Sequence, residues 1–346
     1  MRHDTLPDQV DHGDYPGVST PWDDPAWRVR VTDWVQDALD GHGLRVDGRA
    51  AVRVRPWSVL LRVPVRAGDG GAQTVWFKAN PAGSAFEAGL GQVLSDIAPA
   101  DVLLPLAVDA GEGWALLPQH AGVLLADAVA AAGTSDGEGV RLWEAPLRQY
   151  AALQQTVAPH VDRLAAAGVP DGRPHALPGL LAGLLDSTPA LSDADRTALT
   201  ALLPRFTAWC EELAAIGVPA SVDHGDLHAD QVFGPDPATG RYTFFDWGDA
   251  MIAHPFASFL VTSRVVERRF GPATVARLRA VHLDAWSDGT RSRPDLERAL
   301  DLAVRLAPVG RACSWARLFP QQGAVAAATA PQSARWLRVL LGEPLD

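Results

Sequence analysis

The segment 224–231, with the sequence His-Gly-Asp-Leu-His-Ala-Asp-Gln, constrains this 346-residue chain more than any other. Asp226 and Gln231 lie five positions apart, and Asp246 follows twenty positions after Asp226. The run Tyr-Thr-Phe-Phe at 242–245 predicts a short buried strand that ends directly before Asp246. Carboxylate and amide oxygens are donors that suit Mg²⁺. The spacing therefore predicts a catalytic loop followed by a metal ligand at the end of a strand.

This arrangement suits phosphoryl transfer. In protein kinases an Asp and an Asn five positions apart stand in the catalytic loop, and a later Asp holds the metal ions. The transferred phosphoryl group carries charge on its equatorial oxygens, so catalysis needs positioned cations and an acceptor hydroxyl in line. Asp226 would orient the acceptor, while Gln231 and Asp246 would hold the metal.

Lys78 is the only lysine among 30 basic side chains, and the others are all arginine. It lies in the β-type run Thr-Val-Trp-Phe-Lys-Ala at 74–79. A compact ammonium can serve two phosphates where a planar guanidinium fork cannot, which gives a reason for one retained lysine. A lysine on such a strand indicates a contact with nucleotide phosphates. The alternative interpretation is that Lys78 is a surface lysine that was kept by chance.

Composition excludes several classes of protein. The net charge of −11 argues against a nucleic-acid-binding protein, which needs a basic face; it suits a cationic substrate or simply solubility. No run approaches 18 uncharged apolar residues and the first residues form no apolar signal core, so we expect a cytoplasmic protein with no membrane partner. Cys210 and Cys313 are too few for a disulfide framework and are expected to be buried and inert. The sequence is silent on oligomeric state.

The order of elements predicts two lobes. Residues 1–25 are polar and aperiodic and are expected to form a tail. Residues 26–118 form a β-rich, nucleotide-binding N-lobe, and residues 119–346 a mostly helical C-lobe with a short β segment at 231–246 and a helix break at Pro204. The N-lobe strands are expected at 50–55, 58–65, 74–79, 102–108 and 114–117, with a helix at 84–97. The fold class is therefore α+β.

The motifs together resemble one family. His-Gly-Asp-Leu-His at 224–228 with Phe-Asp-Trp at 245–247 is similar to the aminoglycoside phosphotransferase and choline kinase family of small-molecule kinases. The resemblance extends to Lys78, to Glu87 nine residues later and to a hinge at 116–119. It implies a bilobal protein-kinase-like fold and an ATP- and Mg²⁺-dependent phosphotransferase. The acceptor is a hydroxyl of a small polar metabolite or antibiotic, with an aminoglycoside-like compound or an amino sugar as the leading candidate.

For catalysis, the resemblance implies that Asp226 is the catalytic residue beside the acceptor hydroxyl and that Gln231 and Asp246 bind Mg²⁺. Most of the family has Asn where this chain has Gln231. The amide oxygen is still a hard ligand, but the backbone must absorb one more methylene. Gln at this position also resembles the bacterial maltokinase and glucosamine-kinase branch, which points to a sugar acceptor.

For nucleotide binding, the resemblance implies that Lys78 contacts the phosphates and pairs with Glu87. Backbone groups between Leu117 and Gln119 are implied to meet the adenine. The glycine-rich loop of kinases is absent, and a turn that ends at Ser58 takes its place. Ser58 and neighbouring backbone N–H groups are therefore expected to cover the phosphates.

Two other functions stay open. Gln231 and the missing glycine loop are compatible with a catalytically weak nucleotide-binding scaffold of the same fold. His224, His228 and Asp246, with His254 nearby, offer the nitrogen and oxygen ligands of a zinc-dependent hydrolase. In the kinase interpretation, His224 instead braces the loop through a hydrogen bond to the backbone.

Three further acids lie beside the motifs. Asp249 is expected to approach the acceptor or to cap a helix, and Asp223 and Asp230 are expected to be solvated.

Overall fold

The computed structural model describes residues 20–133, 138–287, 289–318 and 323–342, so residues 1–19 of the predicted tail lie outside the described ranges. Within them the strands are β1 Leu44–Val46, β2 Ala51–Arg55, β3 Ser58–Ala67, β4 Ala72–Ala79, β5 Ala107–Asp109, β6 Trp114–Pro118, β7 Asp171–Gly172, β8 Ser221–Asp223, β9 Val232–Phe233, β10 Thr243–Phe244 and β11 Met251–Ala253. The α-helices are α1 Pro25–Gly41, α2 Phe86–Ile97, α3 Leu125–Ala132, α4 Glu138–Val157, α5 Val161–Ala166, α6 Leu177–Ser187, α7 Asp193–Ile216, α8 Phe259–Phe270, α9 Pro272–Ala285, α10 Arg293–Leu306, α11 Pro308–Arg317 and α12 Gly323–Val339.

The β-rich lobe is built on an antiparallel sheet in the order β1-β3-β4-β6-β5, with β2 paired to β3. Strand side chains alternate between the two faces of a sheet. On β4 this alternation buries Val75, Phe77 and Ala79 in a core shared with α1, and it turns Lys78 to the opposite face. The position of Lys78 on the face opposite α1 follows directly from the sequence pattern.

The helical lobe has its own core, formed mainly by α4, α7, α8 and α10, and α2 also packs against it. Inside this lobe a small sheet in the order β7-β11-β8 and the antiparallel pair β9-β10 carry the candidate site. The predicted α+β class, with a β-rich first lobe and a helical second lobe, is confirmed. No helix in the described ranges is long and apolar enough to cross a membrane.

Two local predictions are wrong. The strand predicted at 102–108 forms only as β5, because Pro105 cannot donate to a strand ladder; Val102 makes a single bridge to Phe244. The helix break predicted at Pro204 is absent, and α7 runs through this residue. Pro204 is exposed, so water can serve the carbonyl one turn earlier that loses its hydrogen-bond donor.

Candidate active site

The loop between β8 and β9 carries Asp226 and Gln231, and β10 ends two residues before Asp246. Gly225 has a φ of +75°, and a Cβ at this position would lie 2.4 Å from the backbone oxygen of Asp249. Only glycine tolerates both the positive φ and this close approach. The glycine of the His-Gly-Asp motif thus allows the loop to pack against the turn that follows Asp246.

His224 is fully buried and joins the two loops, as predicted. Its Nε2 lies 2.9 Å from the backbone oxygen of Phe245, and its backbone N–H donates to the hydroxyl of Tyr150 at 3.0 Å. These contacts fix the catalytic loop relative to the strand that delivers Asp246.

Asp223 is buried, so its prediction as a solvated acid is wrong. Its carboxylate accepts hydrogen bonds from the hydroxyl of Ser258 at 2.5 Å and from the backbone N–H of Gly225 at 3.0 Å. Burial raises the pKa of Asp223 above its usual value. Asp230, in contrast, is solvated as predicted, with 65% of its side chain exposed.

Lys78 is held between two carboxylates that come from distant parts of the chain. Its Nζ lies 2.8 Å from Oε1 of Glu87 and 2.5 Å from Oδ1 of Asp246. Burial opposes the charged ammonium, but the two carboxylates outweigh it and the pKa of Lys78 is raised. Glu87 is fixed in turn by the side-chain amide of Asn80 and by the backbone N–H of Trp247 at 2.9 Å. The predicted pairing of Lys78 with Glu87 is present.

Asp246 has a left-handed backbone, with φ 64° and ψ 62°. This conformation is uncommon for residues other than glycine, and such strained residues concentrate at functional sites. Burial would raise its pKa, but the charge and hydrogen bond of Lys78 lower it, so the carboxylate is ionised. Its side chain is 42% exposed, which leaves the carboxylate accessible from the cleft.

Gln231 and Asp246 approach each other across the loop. The terminal amide of Gln231 lies 3.3 Å from Oδ2 of Asp246 and 3.3 Å from the backbone oxygen of Asp230. With its nitrogen turned to these atoms, the amide donates hydrogen bonds. With its oxygen turned to them, the amide oxygen lies 3.3 Å from a carboxylate oxygen and 3.3 Å from a carbonyl oxygen. Neighbouring carboxylate, amide and carbonyl oxygens suit Mg²⁺. The residues present therefore fit a hard divalent cation.

A cleft between the lobes joins these groups. Its polar wall holds Lys78, Glu87 and Asp246, and its apolar wall includes Leu117. The further apolar lining residues are Ala88, Val102, Leu103, Pro105, Ala115, Phe244 and Phe245. An apolar slot that ends in a lysine and two carboxylates matches a flat base attached to phosphates.

Two predicted nucleotide contacts are not brought into this cleft. The backbone N–H of Gln119 donates to Thr74 at 3.1 Å, and its side chain accepts a hydrogen bond from Trp76. Ser58 is buried at the start of β3 and does not line the cleft. The sheet takes up the backbone N–H of Gln119, and Ser58 pairs with Arg55 where β2 turns into β3.

Asp226 does not line this cleft and lies between a guanidinium and an imidazole. Its Oδ1 is 3.2 Å from Nη2 of Arg311, and its Oδ2 is 3.4 Å from Nε2 of His228. Burial opposes ionisation, but the charge of Arg311 and the contact with His228 outweigh it and lower the pKa of Asp226 to about 2. Asp249 does not cap a helix but pairs with Nη1 of Arg311 at 3.0 Å.

The arrangement of the histidines does not favour a zinc centre. His224 is bound to backbone, and His254 is buried among apolar groups with its pKa lowered to about 3. His228 lies between Asp226 and Asp230. No group of three or more His, Cys, Asp or Glu side chains placed to hold a metal occurs in the part of the chain that the structure describes.

Sequence reasoning missed Asn80 and Arg311. Asn80 had a usable signal, because it stands two residues after Lys78 and so lies on the same face of the strand. No sequence signal pointed to Arg311, because the chain is so rich in arginine that no single arginine stands out.

Comparison with known proteins shows that solved structures share this fold. No model of a known protein family matches the sequence, and no curated protein matches it either. Among solved structures, a macrolide 2′-phosphotransferase from Brachybacterium faecium has a TM-score of 0.52 at 19% identity, over 91% of this chain and 99% of that one. An ethanolamine kinase from Plasmodium vivax has a TM-score of 0.55 at 9% identity, over 92% and 91%. The GDP complex of an aminoglycoside 2′-phosphotransferase-IIIa mutant has a TM-score of 0.50 at 16% identity, over 87% and 94%.

The fold is that of the aminoglycoside phosphotransferases and the choline and ethanolamine kinases. This kinase-like fold confirms the architecture that the motifs predicted. At these identities, the roles of individual residues rest on the geometry described above.

Proposed function

We propose that the protein is an ATP- and Mg²⁺-dependent phosphotransferase that acts on a hydroxyl of a small polar molecule. One observation carries the proposal: Lys78 binds both Glu87 and Asp246 in a single cleft, although Asp246 lies 168 positions away in the sequence. A lysine and two carboxylates joined in this way are the parts with which kinases hold metal-bound phosphates. Structural neighbours solved as phosphotransferases, one of them with GDP, are consistent with it.

In this proposal each group of the cleft has one task. Leu117 and the apolar wall receive the base, and Lys78 binds the phosphates. Gln231 and Asp246 hold Mg²⁺, which when bound neutralises charge on the phosphate oxygens. Asp226 accepts a hydrogen bond from the acceptor hydroxyl and aims its oxygen at the phosphoryl group. Its low pKa keeps it ionised and suits orientation of the hydroxyl more than early removal of its proton.

We infer the class of acceptor from a second groove. It is lined by side chains of α7, α8 and α10, and its Leu260 also lines the small cavity next to Arg311. The guanidinium carbons of Arg205 and Arg305 lie 4.8 and 4.7 Å from the ring centre of Trp209. Neither arginine forms an ion pair within the described residues.

The groove carries four arginines, Arg205, Arg264, Arg298 and Arg305, against two acids, Glu267 and Asp301. This excess of positive charge disfavours a polycationic acceptor, because like charges repel. A neutral or acidic sugar avoids this cost, and an indole flanked by guanidinium groups offers it a stacking surface. Of the two predicted acceptors, an amino sugar carries less positive charge than an aminoglycoside, so the groove favours the amino sugar.

The function is tested by incubating the protein with Mg²⁺, ATP and a panel of neutral sugars, sugar acids, amino sugars, aminoglycosides and macrolides. A product heavier by one phosphoryl group is expected with a sugar. If only aminoglycosides are phosphorylated, the protein is still a kinase, but the inference from the positive charge of the groove is wrong.

Lys78→Arg is expected to lower turnover by at least about tenfold, although the charge is kept. The larger guanidinium cannot take the position in which one ammonium contacts both Glu87 and Asp246. Steady-state rates on the identified acceptor measure the loss. Arg66→Lys, which exchanges the same two side-chain types at an exposed pair with Asp47, is the control and should be unchanged. Wild-type rates for Lys78→Arg would remove the phosphate contact from the proposal.

Gln231→Asn is expected to keep measurable activity, whereas Gln231→Ala should lose most of it, because only the amides supply an oxygen to the metal. The measurement is the Mg²⁺ concentration that gives half-maximal rate. It should rise strongly for the Ala variant, and Gln92→Ala, which removes an exposed glutamine, should leave it unchanged. If Gln231→Ala responds to Mg²⁺ as the parent does, Gln231 is not a ligand.

A further inference from the structure

Arg311 is a buried cation at the centre of the candidate site, and no motif pointed to it. It lies on α11, is 8% exposed, and contacts Asp226 and Asp249 from opposite ends of its guanidinium. A buried charge is costly unless it is paired, and here two carboxylates pair it. The pKa of Arg311 is raised, because these carboxylates outweigh the burial that opposes its charge.

The contacts of Arg311 join three separate parts of the chain. Asp226 belongs to the catalytic loop, and Asp249 belongs to the turn after Asp246, whose backbone also packs against Gly225. On the α12 side, the ring of Trp336 lies 5.5 Å from the guanidinium carbon. Arg311 therefore fixes the catalytic loop against both the metal-side turn and the C-terminal helices.

The guanidinium also distinguishes the two oxygens of Asp226. Nη2 of Arg311 contacts Oδ1 at 3.2 Å, while Oδ2 makes a longer contact of 3.4 Å with Nε2 of His228. A carboxylate with one oxygen held in this way cannot rotate freely. Its second oxygen then has a fixed direction in which to accept a hydrogen bond.

We propose that Arg311 is the positioning residue that orients the Asp226 carboxylate and leaves Oδ2 to the acceptor hydroxyl. The proposal rests on the proposed phosphotransferase function. Lysine cannot replace it fully, because Nη1 and Nη2 serve two different carboxylates and a single ammonium has no such fork. Losing the guanidinium also leaves two half-buried carboxylates without the cation that pairs with both of them.

The test compares Arg311→Gln and Arg311→Lys with Arg338→Gln, which breaks a partly buried ion pair with Asp195 away from the catalytic loop. Arg311→Gln is expected to lower kcat by about 10–100-fold, the order of loss that a misplaced reacting group causes. KM for ATP should change little. Arg311→Lys should lie between Arg311→Gln and the parent, and Arg338→Gln should keep the parental kcat. Melting curves report whether each variant is folded. If Arg311→Gln does not fold, the kcat of Arg311→Lys is compared with that of the parent instead.

A second comparison separates positioning from general destabilisation. In an Asp226→Asn background, Arg311→Gln should lower the residual rate by less than about twofold, because residues that act as a unit are not additive. A purely structural role would multiply the two losses, and that result overturns the proposal. A parental kcat for Arg311→Gln also overturns the positioning role of Arg311 but leaves the proposed phosphotransferase function unaffected. If the parent protein transfers no phosphate to any acceptor, the proposed function itself fails.

Discussion

Asp226→Asn is expected to lower turnover by about two to four orders of magnitude, the range for loss of a catalytic acid or base. Asparagine keeps the shape of the side chain but loses the negative charge that holds the acceptor hydroxyl in line. It also loses the charge-assisted contact with Arg311, now 3.2 Å away. Binding of Mg-ATP should be unchanged, because Asp226 does not line the cleft that holds Lys78 and Asp246.

Turnover on the identified acceptor and calorimetry with Mg-ATP measure the two effects separately. Asp230→Asn, the same substitution four residues later at an exposed side chain, is the matched control and should behave as the parent. Parental turnover in Asp226→Asn would remove this residue from the mechanism. Equal losses of turnover and of Mg-ATP affinity would show that the variant damages the site as a whole.

Asp246→Ala is expected to weaken ATP binding in the presence of Mg²⁺ by at least about tenfold, which corresponds to about 1.4 kcal/mol. The substitution removes the only carboxylate of the proposed ligand set, and a hard divalent cation depends strongly on such a ligand. It also releases Lys78 from one of its two partners. Binding of ATP without Mg²⁺ should therefore be retained or strengthened.

Asp246→Ala should thus weaken ATP binding with Mg²⁺ but not without it, so the titration without Mg²⁺ serves as the control for the same variant. Calorimetric titrations of ATP with and without Mg²⁺ should show a large metal effect in the parent and almost none in Asp246→Ala. If Mg²⁺ strengthens binding equally in both proteins, Asp246 is not the metal ligand, and the assignment of the site to Mg-ATP loses its basis.

Much of the site could be predicted because its signals are local in the sequence. The alternation along β4 sets the face of Lys78, and a short aromatic strand sets the position of Asp246. The fixed spacing from Asp226 to Gln231 requires only one loop between two strands. The resemblance of the motifs to small-molecule kinases then fixed the α+β, two-lobed architecture.

The features that could not be predicted depend on contacts between distant segments. The sheet β7-β11-β8 consists of strands of two or three residues, too short for a periodic pattern to appear. Asp223 looked solvated because its partner Ser258 lies 35 positions away. Gln119 and Ser58 remain proposed nucleotide contacts only if the cleft rearranges when it binds nucleotide. The boundaries of the lobes at 26–118 and 119–346 stay a prediction.

The most direct measurement follows the γ-phosphoryl group of labelled ATP in the presence of Mg²⁺, the acceptor panel and either the parent protein or Asp226→Asn. The label is expected to move to the hydroxyl of one acceptor class with the parent protein and to stay on ATP with Asp226→Asn. Tight binding of Mg-ATP without transfer to any compound would contradict this account and favour a nucleotide-binding scaffold. Hydrolysis that needs bound zinc and no nucleotide would contradict it as well.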